Sequence, residues 1–238
     1  MVLPHQDTLR NQLLASLSKD DFERLAPHLE PVDLPRLFAL SAPHRLSDYS
    51  YFVESGIGSI VATTTDGRSA EIGLFGREGM SPTAVVLNAG TAPYSIFMQV
   101  AGTGFRIESI RLAHALNESF GLRNLLTRYA QTASVQTSFT ALVNATYQIE
   151  ARLARWILMC HDRIDGDRLP LTHDFLSIML AVRRQSVTTA LHVLEGKHLI
   201  NAERGLIIVR ERKSLEDFAG DAYGQPEEEY RKLVGPAT

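Results

Sequence analysis

The chain has 238 residues, 45% of them hydrophobic and 21% charged, with a formal net charge of -3. This is ordinary material for two packed domains; no apolar run reaches the roughly 18 residues of a membrane span, and the start, with His5, Gln6, Asp7 and Arg10, lacks a signal-peptide core. The single cysteine, Cys160, excludes an internal disulfide and cannot ligate an iron-sulfur cluster alone, so a cytoplasmic protein without a membrane partner is expected, with Cys160 as packing.

In chain order, residues 7–17 and 18–29 have helical periodicity, the second stretch opening on Ser18 and Asp21 as a capping-box-like pair and stopping near Pro31. The period then changes. Residues 51–54, 58–64, 69–75, 94–100 and 104–107 are short, β-rich and separated by Gly or Pro, with Asp66-Gly67 marking a hairpin. Strands at this spacing predict a jelly-roll or barrel. From Glu108 to about Ala145 the helical period returns, and Leu122, Leu125, Tyr129, Thr132, Gln136, Phe139 and Val143 fit alternating a and d positions of heptads. Such a stripe serves either a dimer seam or an amphipathic helix packed on the β domain. Asn144 and Ala145, a candidate hinge, precede residues 147–164, where Ile149, Leu153, Trp156, Ile157 and Cys160 supply a core.

Residues 171–210 read as two short helices, a tight turn and a β-ribbon. Thr172 can cap the first helix, and Asp174 sits near the positive end of its dipole. Leu176, Met179 and Leu180 share one face; after Ala181, Val182 and Arg183, the second helix carries Val187, Leu191 and Leu194 at i, i+4 and i+7. Its opposite face shows Arg184, Gln185, Thr188, Thr189 and His192, all able to hydrogen-bond and none acidic, which suits a major groove. Residues 198–201 and 206–210, joined by Glu203-Arg204-Gly205, form a hairpin with Gly where positive φ is needed. Between Arg183 and Lys213 seven Lys and Arg, Lys197 and Arg204 among them, face three Glu. Such a local basic patch matters more for nucleic-acid binding than the whole-chain charge. Residues 214–219 allow one or two helical turns with Leu215 and Phe218 inward, and the Gly-, Pro- and Glu-rich remainder from Asp221 predicts a mobile tail.

The pattern Leu-Thr, Ile-Met-Leu, Arg-Arg-Gln-Ser-Val-Thr-Thr-Ala-Leu, Leu-Glu and Leu-Ile between Thr172 and Ile208 resembles the DNA-binding domain of CRP/FNR-type bacterial transcription regulators. That resemblance assigns base reading to Arg184, Gln185 and Thr189, only the first of which keeps the family residue. Arg184 suits guanine N7 and O6, Gln185 adenine, and Thr189 a single hydrogen bond or a thymine methyl. Thr172, Arg183, Thr188, His192, Lys197 and Arg204 are the candidates for backbone or secondary contacts. The chain departs from the family at Ala181, where Gly is common, and at Arg183, in place of a capping Ser.

Tyr51 to Gly56, Gly58 and the Gly76 to Gly79 corner are placed as in the family's cyclic-nucleotide-binding domain, which implies a dimer seam for the heptads, with Thr132 and Gln136 setting register or, as polar residues in this region do in relatives, facing an effector pocket. The family's nucleotide pocket needs a Gly-Glu pair and a downstream Arg-Ser pair. Here Met80-Ser81-Pro82 follows Gly79, and Ala92-Pro93-Tyr94-Ser95 stands near the expected Arg-Ser. A buried phosphate without a cation is too costly, so tight binding of cyclic AMP or cyclic GMP is not expected unless Arg77 or Arg106 points inward.

The eight histidines have no metal-ligand spacing, and no P-loop or nucleophile motif is present, so neither catalysis, metal nor cofactor is assigned; an unidentified small effector is left open. The expected architecture is α+β: a double-stranded β-helix or jelly-roll sensor domain over 1–107, a dimerisation helix over 108–145, a winged helix-turn-helix over 146–220 and a flexible tail over 221–238. The implied partners are a palindromic operator in double-stranded DNA, a second copy of the chain and RNA polymerase. The alternative is an effector-binding signalling module whose winged helix contacts a protein.

Overall fold

The computed structural model describes residues 4–235. It begins with two short helices, α1 (Gln12–Ala15) and α2 (Lys19–Leu25), in place of the two longer ones expected over 7–17 and 18–29. Each has its own side-chain cap: Asn11 accepts from the Leu14 amide, and Ser18 from the Asp21 amide. Asn11 also donates to the carbonyls of Val53 and Gly79, at 2.9 and 2.8 Å, which ties the N-terminal segment to the β domain.

Eight strands follow: β1 (Glu30–Leu34), β2 (Ala39–Ser41), β3 (Tyr49–Val53), β4 (Ile57–Thr63), β5 (Ser69–Phe75), β6 (Met80–Ser81), β7 (Tyr94–Val100) and β8 (Gly102–Glu108), with helix α3 (Thr83–Val86) after β6. They form two antiparallel sheets, β1-β8-β3-β6 and β2-β7-β4-β5. Leu34, Leu40, Tyr51, Val53, Phe75, Ile96 and Met98 make a common core for the strands. Pro31, read as a helix stop, lies inside β1. That strand is at a sheet edge, where a missing N–H costs no ladder bond.

The helical stretch after β8 is divided. Helix α4 (Ser109–Glu118) ends at Ser119, whose extended backbone turns the chain and whose hydroxyl accepts from Leu122 N at the start of α5 (Phe120–Thr146). The next break comes at extended Tyr147 and Gln148, just beyond the Asn144-Ala145 hinge expected, before α6 (Ile149–His161).

The C-terminal part continues with β9 (Arg168–Leu169), α7 (His173–Leu180), α8 (Arg184–Gly196), β10 (Ile200–Glu203) and β11 (Leu206–Val209), then α9 (Arg212–Ala219). The ribbon has a third strand, since β9 pairs with β11. Residues 225–233, expected to be part of a mobile tail, instead form helix α10 (Gln225–Leu233). Pro226 stands in its first turn, Glu227 accepts from the Gly224 amide, and Tyr230 is buried against the N-terminal helices and α5.

The winged helix does not stand apart from the β domain. Ile57 and Leu74, from β4 and β5, share one core with α6 to α9. The Phe97 and Phe175 rings lie 6.3 Å apart, Arg36 sits over Phe175, and the Gln99 amide donates to the Met179 sulfur at 3.3 Å.

Candidate nucleic-acid interface

Thr172 caps α7 by accepting from Phe175 N. The turn after α7 depends on Ala181, which is left-handed at φ 51° and ψ 45°. A side chain in this region is disfavoured relative to Gly, and the amides of Ala181 and Val182 close the helix on the carbonyls of Ile178 and Ser177. Arg183 is the residue before α8 and provides no side-chain cap.

Helix α8 buries Val187, Ala190, Leu191 and Leu194. Arg184, Gln185, Thr189 and His192 are exposed on its other side, with Thr188 half-buried. The hydroxyls of Thr188 and Thr189 donate to the carbonyls of Arg184 and Gln185, each at 3.2 Å. They therefore present lone pairs outward and act as acceptors. Arg184 pairs with Asp174 at 3.0 Å, and both side chains are largely exposed. His173 Nδ1 lies 3.4 Å from the Thr188 hydroxyl.

The wing is the β10–β11 hairpin, turning at Arg204 and at Gly205 with φ 75°. Glu195 of α8 accepts from Ala202 N at 2.8 Å and fixes the wing to the helix. Thr172, His173, Arg184, Thr188, His192 and Arg204 line the groove between α7, α8 and the wing. Arg183 is exposed beside it. Lys197 lies past the end of α8, with its ammonium 5.6 Å from the Phe218 ring.

Residues 151–218 match the family model of the Crp-like helix-turn-helix domain. The C-terminal part of this chain is a Crp-like helix-turn-helix domain. The whole chain is similar in structure to a protein described as a CRP/FNR-family transcriptional regulator from Eubacterium rectale ATCC 33656, at 15% identity and a TM-score of 0.67 over 87% of this chain and 97% of that one. It is likewise similar to FixK2 from Bradyrhizobium japonicum, at 13% identity and 0.68 over 82% and 99%. The third is the c-di-GMP responsive global regulator CLP of Xanthomonas campestris, at 19% identity and 0.61 over 82% and 100%. These likenesses give the whole chain the fold of the CRP/FNR regulators. Among curated proteins none matches the chain in sequence.

In the Crp-like domain, sequence reasoning located the exposed face of α8 but not its acidic neighbour. Asp174 was legible as a first-turn acid, and nothing local marked it as the partner of Arg184.

In the β domain, Arg77 pairs with Asp165 at 2.7 Å, and Arg106 pairs with Glu30 and lies over the Tyr49 ring. Neither is free at the Gly79 to Pro82 corner. Tyr129 occupies the space beside Gly79, where a Cβ would fall 2.3 Å from the Tyr129 hydroxyl, and that hydroxyl donates to Met80 O. Burial drives the Tyr129 pKa well above its ordinary value, so it stays a neutral donor.

A cavity of about 390 Å³ adjoins this corner, between β5, α5, α9 and α10, with Arg77, Glu78, Tyr129, Gln136, Arg212 and Tyr230 among its lining. Beside it, the Glu78–Arg163 pair is buried at 2.7 Å. Burial works against the Arg163 charge, but Glu78 and Asp162 outweigh it and hold the guanidinium protonated. Glu71 is buried on β5, accepts from Ser59 at 2.5 Å, and has its pKa pushed up to about 8 by burial. Among the described residues no three His, Cys, Asp or Glu side chains gather as metal ligands do, and no helix is long and apolar enough to cross a membrane.

The heptad stripe of α5 is taken up inside the chain. Leu122, Leu125, Tyr129, Thr132 and Val143 are buried, Gln136 accepts from Leu74 N at 2.8 Å, and Phe139 is half-buried. The physical reason is that the β domain and α4 present apolar surface to the same face of the helix. A neighbouring face, about 100° round the helix, carries Asn124, Arg128, Gln131, Val135, Ser138 and Leu142, again at spacings of three and four, and Leu142 is 51% exposed.

Proposed function

We propose that the protein is a homodimeric, sequence-specific DNA-binding transcription regulator that does not depend on cyclic AMP. The observation that carries this reading is α8: one face is fixed in the core, and the other holds out Arg184, Gln185 and Thr189 beside the basic Arg183 and the wing residue Arg204. Arg184 reads guanine by a bidentate pair and Gln185 reads adenine. Thr189, with its proton engaged by Gln185 O, accepts from a base amino group or touches a thymine methyl. Thr172, Thr188 and His192 border the same groove and serve phosphate or secondary contacts.

Self-association uses the outward row of α5 from Asn124 to Leu142, since the inward row is occupied. Two copies then place their α8 helices in successive major grooves, with half-sites about one helical turn, roughly 34 Å, apart. The engagement of Arg77 and Arg106 supports independence from cyclic AMP, because neither can neutralise a cyclic phosphate without breaking an existing pair.

Selection of binding sites from random duplex DNA by the full chain, at one fixed salt concentration, tests the reading. A palindrome containing guanine and adenine at neighbouring positions is the expected result. A folded dimer that enriches no sequence, with and without cyclic AMP, would refute it in favour of a module that contacts protein.

A further inference from the structure

Helix α10 reaches back from the winged helix to the β domain. Its connecting turn has a glycine at each end, Gly220 with φ 53° and Gly224 with φ 111°, a region that favours glycine. Only Pro226 and Tyr230 of its nine residues are buried. The Tyr230 hydroxyl donates to Glu78 O at 2.7 Å.

Glu78 is also one of the residues that tie the β domain to the winged helix, through Arg163. Its Oε1 accepts from Arg163 Nε at 2.7 Å and its Oε2 from Gly76 N at 3.1 Å. The attachment of α10 and the attachment of the segment after α6 thus converge on one residue of the β domain. Breaking one contact loosens the support of the other, because members of a shared network are energetically coupled.

The seat of α10 is poorly filled. The cavity of about 390 Å³ lies against Pro226, Glu227 and Tyr230. The buried Arg155, near enough to Glu227 of α10 to feel its charge, has its Nη2 without a hydrogen-bond partner among the described residues. An underpacked seat with one aromatic anchor separates at lower cost than a filled one.

We propose that α10 is a releasable strap, which through Tyr230 and Glu78 clamps the winged helix onto the β2-β7-β4-β5 sheet and, when released, lets the winged helix swing about Tyr147. The inference is independent of DNA binding: it concerns which parts of the chain move together. In the clamped form Arg184, Gln185 and Thr189 are exposed, so the strap sets the angle of α8 without covering it.

Hydrogen exchange on the full chain, compared with Tyr230→Ala and the milder Tyr230→Phe, tests the strap. The expected result is at least tenfold faster exchange in β5 and α7 for Tyr230→Ala, with exchange in β3 and β8 unchanged. Tyr230→Phe keeps the ring and loses only the hydrogen bond, and it is expected to move the same segments by a smaller factor. Equal exchange in β5 and α7 for wild type and Tyr230→Phe, or acceleration spread evenly over β3 and β8, would overturn the proposal. Should Tyr230→Ala fail to fold, Tyr230→Phe alone decides.

Discussion

Helices α5 and α8 both carry an apolar stripe, and the two stripes do different work. In α8 the stripe is short, and Val187, Ala190, Leu191 and Leu194 meet the helices and ribbon of their own domain. In α5 a stripe of coiled-coil spacing joins one helix to the β domain of the same chain. Periodicity fixes which side of a helix is buried. It says nothing about whether the covering surface belongs to the same chain or to another copy.

The comparison is broken most forcefully at Leu122, which is fully buried in α5. Leu122→Ala is expected to destabilise the folded monomer by about 2 to 5 kcal/mol, measured by denaturant unfolding at several protein concentrations. If the loss appeared only as weaker self-association, the inward stripe would be a seam after all.

The next effect depends on pH. Glu71 keeps its proton up to about pH 8 in the folded chain, against an ordinary value of 4.5 once exposed. Between those values the folded state holds the additional proton, so stability falls as pH rises, by at most about 1.4 kcal/mol per unit. Glu71→Gln is expected to flatten that slope and to gain on wild type steadily from pH 5 to pH 8. Parallel stability curves for the two proteins would mean that the carboxyl titrates normally.

On α8 the exposed face is probed by Arg184→Ala. It is expected to cost about 1 to 3 kcal/mol of specific affinity and to relax preference at one base pair. Competition binding against operators varied at each position reads this, and a uniform loss over all sequences would remove Arg184 from base reading. The outward row of α5 is probed by Leu142→Asp, expected to weaken self-association at least tenfold, about 1.4 kcal/mol, in sedimentation experiments. The smallest effect belongs to Lys197→Ala. Its ammonium lies over Phe218, so the salt slope of DNA binding is expected to change by at most about 1.

Elements set by local chemistry were legible before the fold was known. Thr172 caps α7 as its hydroxyl allows, Gly205 turns the wing, and β5 and β7 have the bounds that their β-rich runs suggested. Three features were not, each for a physical reason. Strand β1 was hidden by Pro31, tolerable only because the strand is at an edge. Helix α10 was hidden by the Gly and Pro content of its approach, although Pro226 and the Glu227 carboxyl on Gly224 N are helix-start signals. The clamp of α7 onto β5 and β7 joins residues such as Gln99 and Met179 that are 80 positions apart, and no local pattern encodes such a partner.

On the proposed reading of DNA by Arg184, the Asp174–Arg184 pair would give target search the character of an exchange reaction. The guanidinium would arrive at DNA already holding a carboxylate, in an exposed ion pair of the kind that contributes only about 0 to 1 kcal/mol. A guanine in the correct position, offering two acceptors and about 1 to 3 kcal/mol of discrimination, can displace that carboxylate. A wrong base would not, and there Arg184 would stay with Asp174 and add nothing to the hold on DNA. On that reading Asp174 would make the reading arm selective in time as well as in affinity, with rapid departure from wrong sites as its signature.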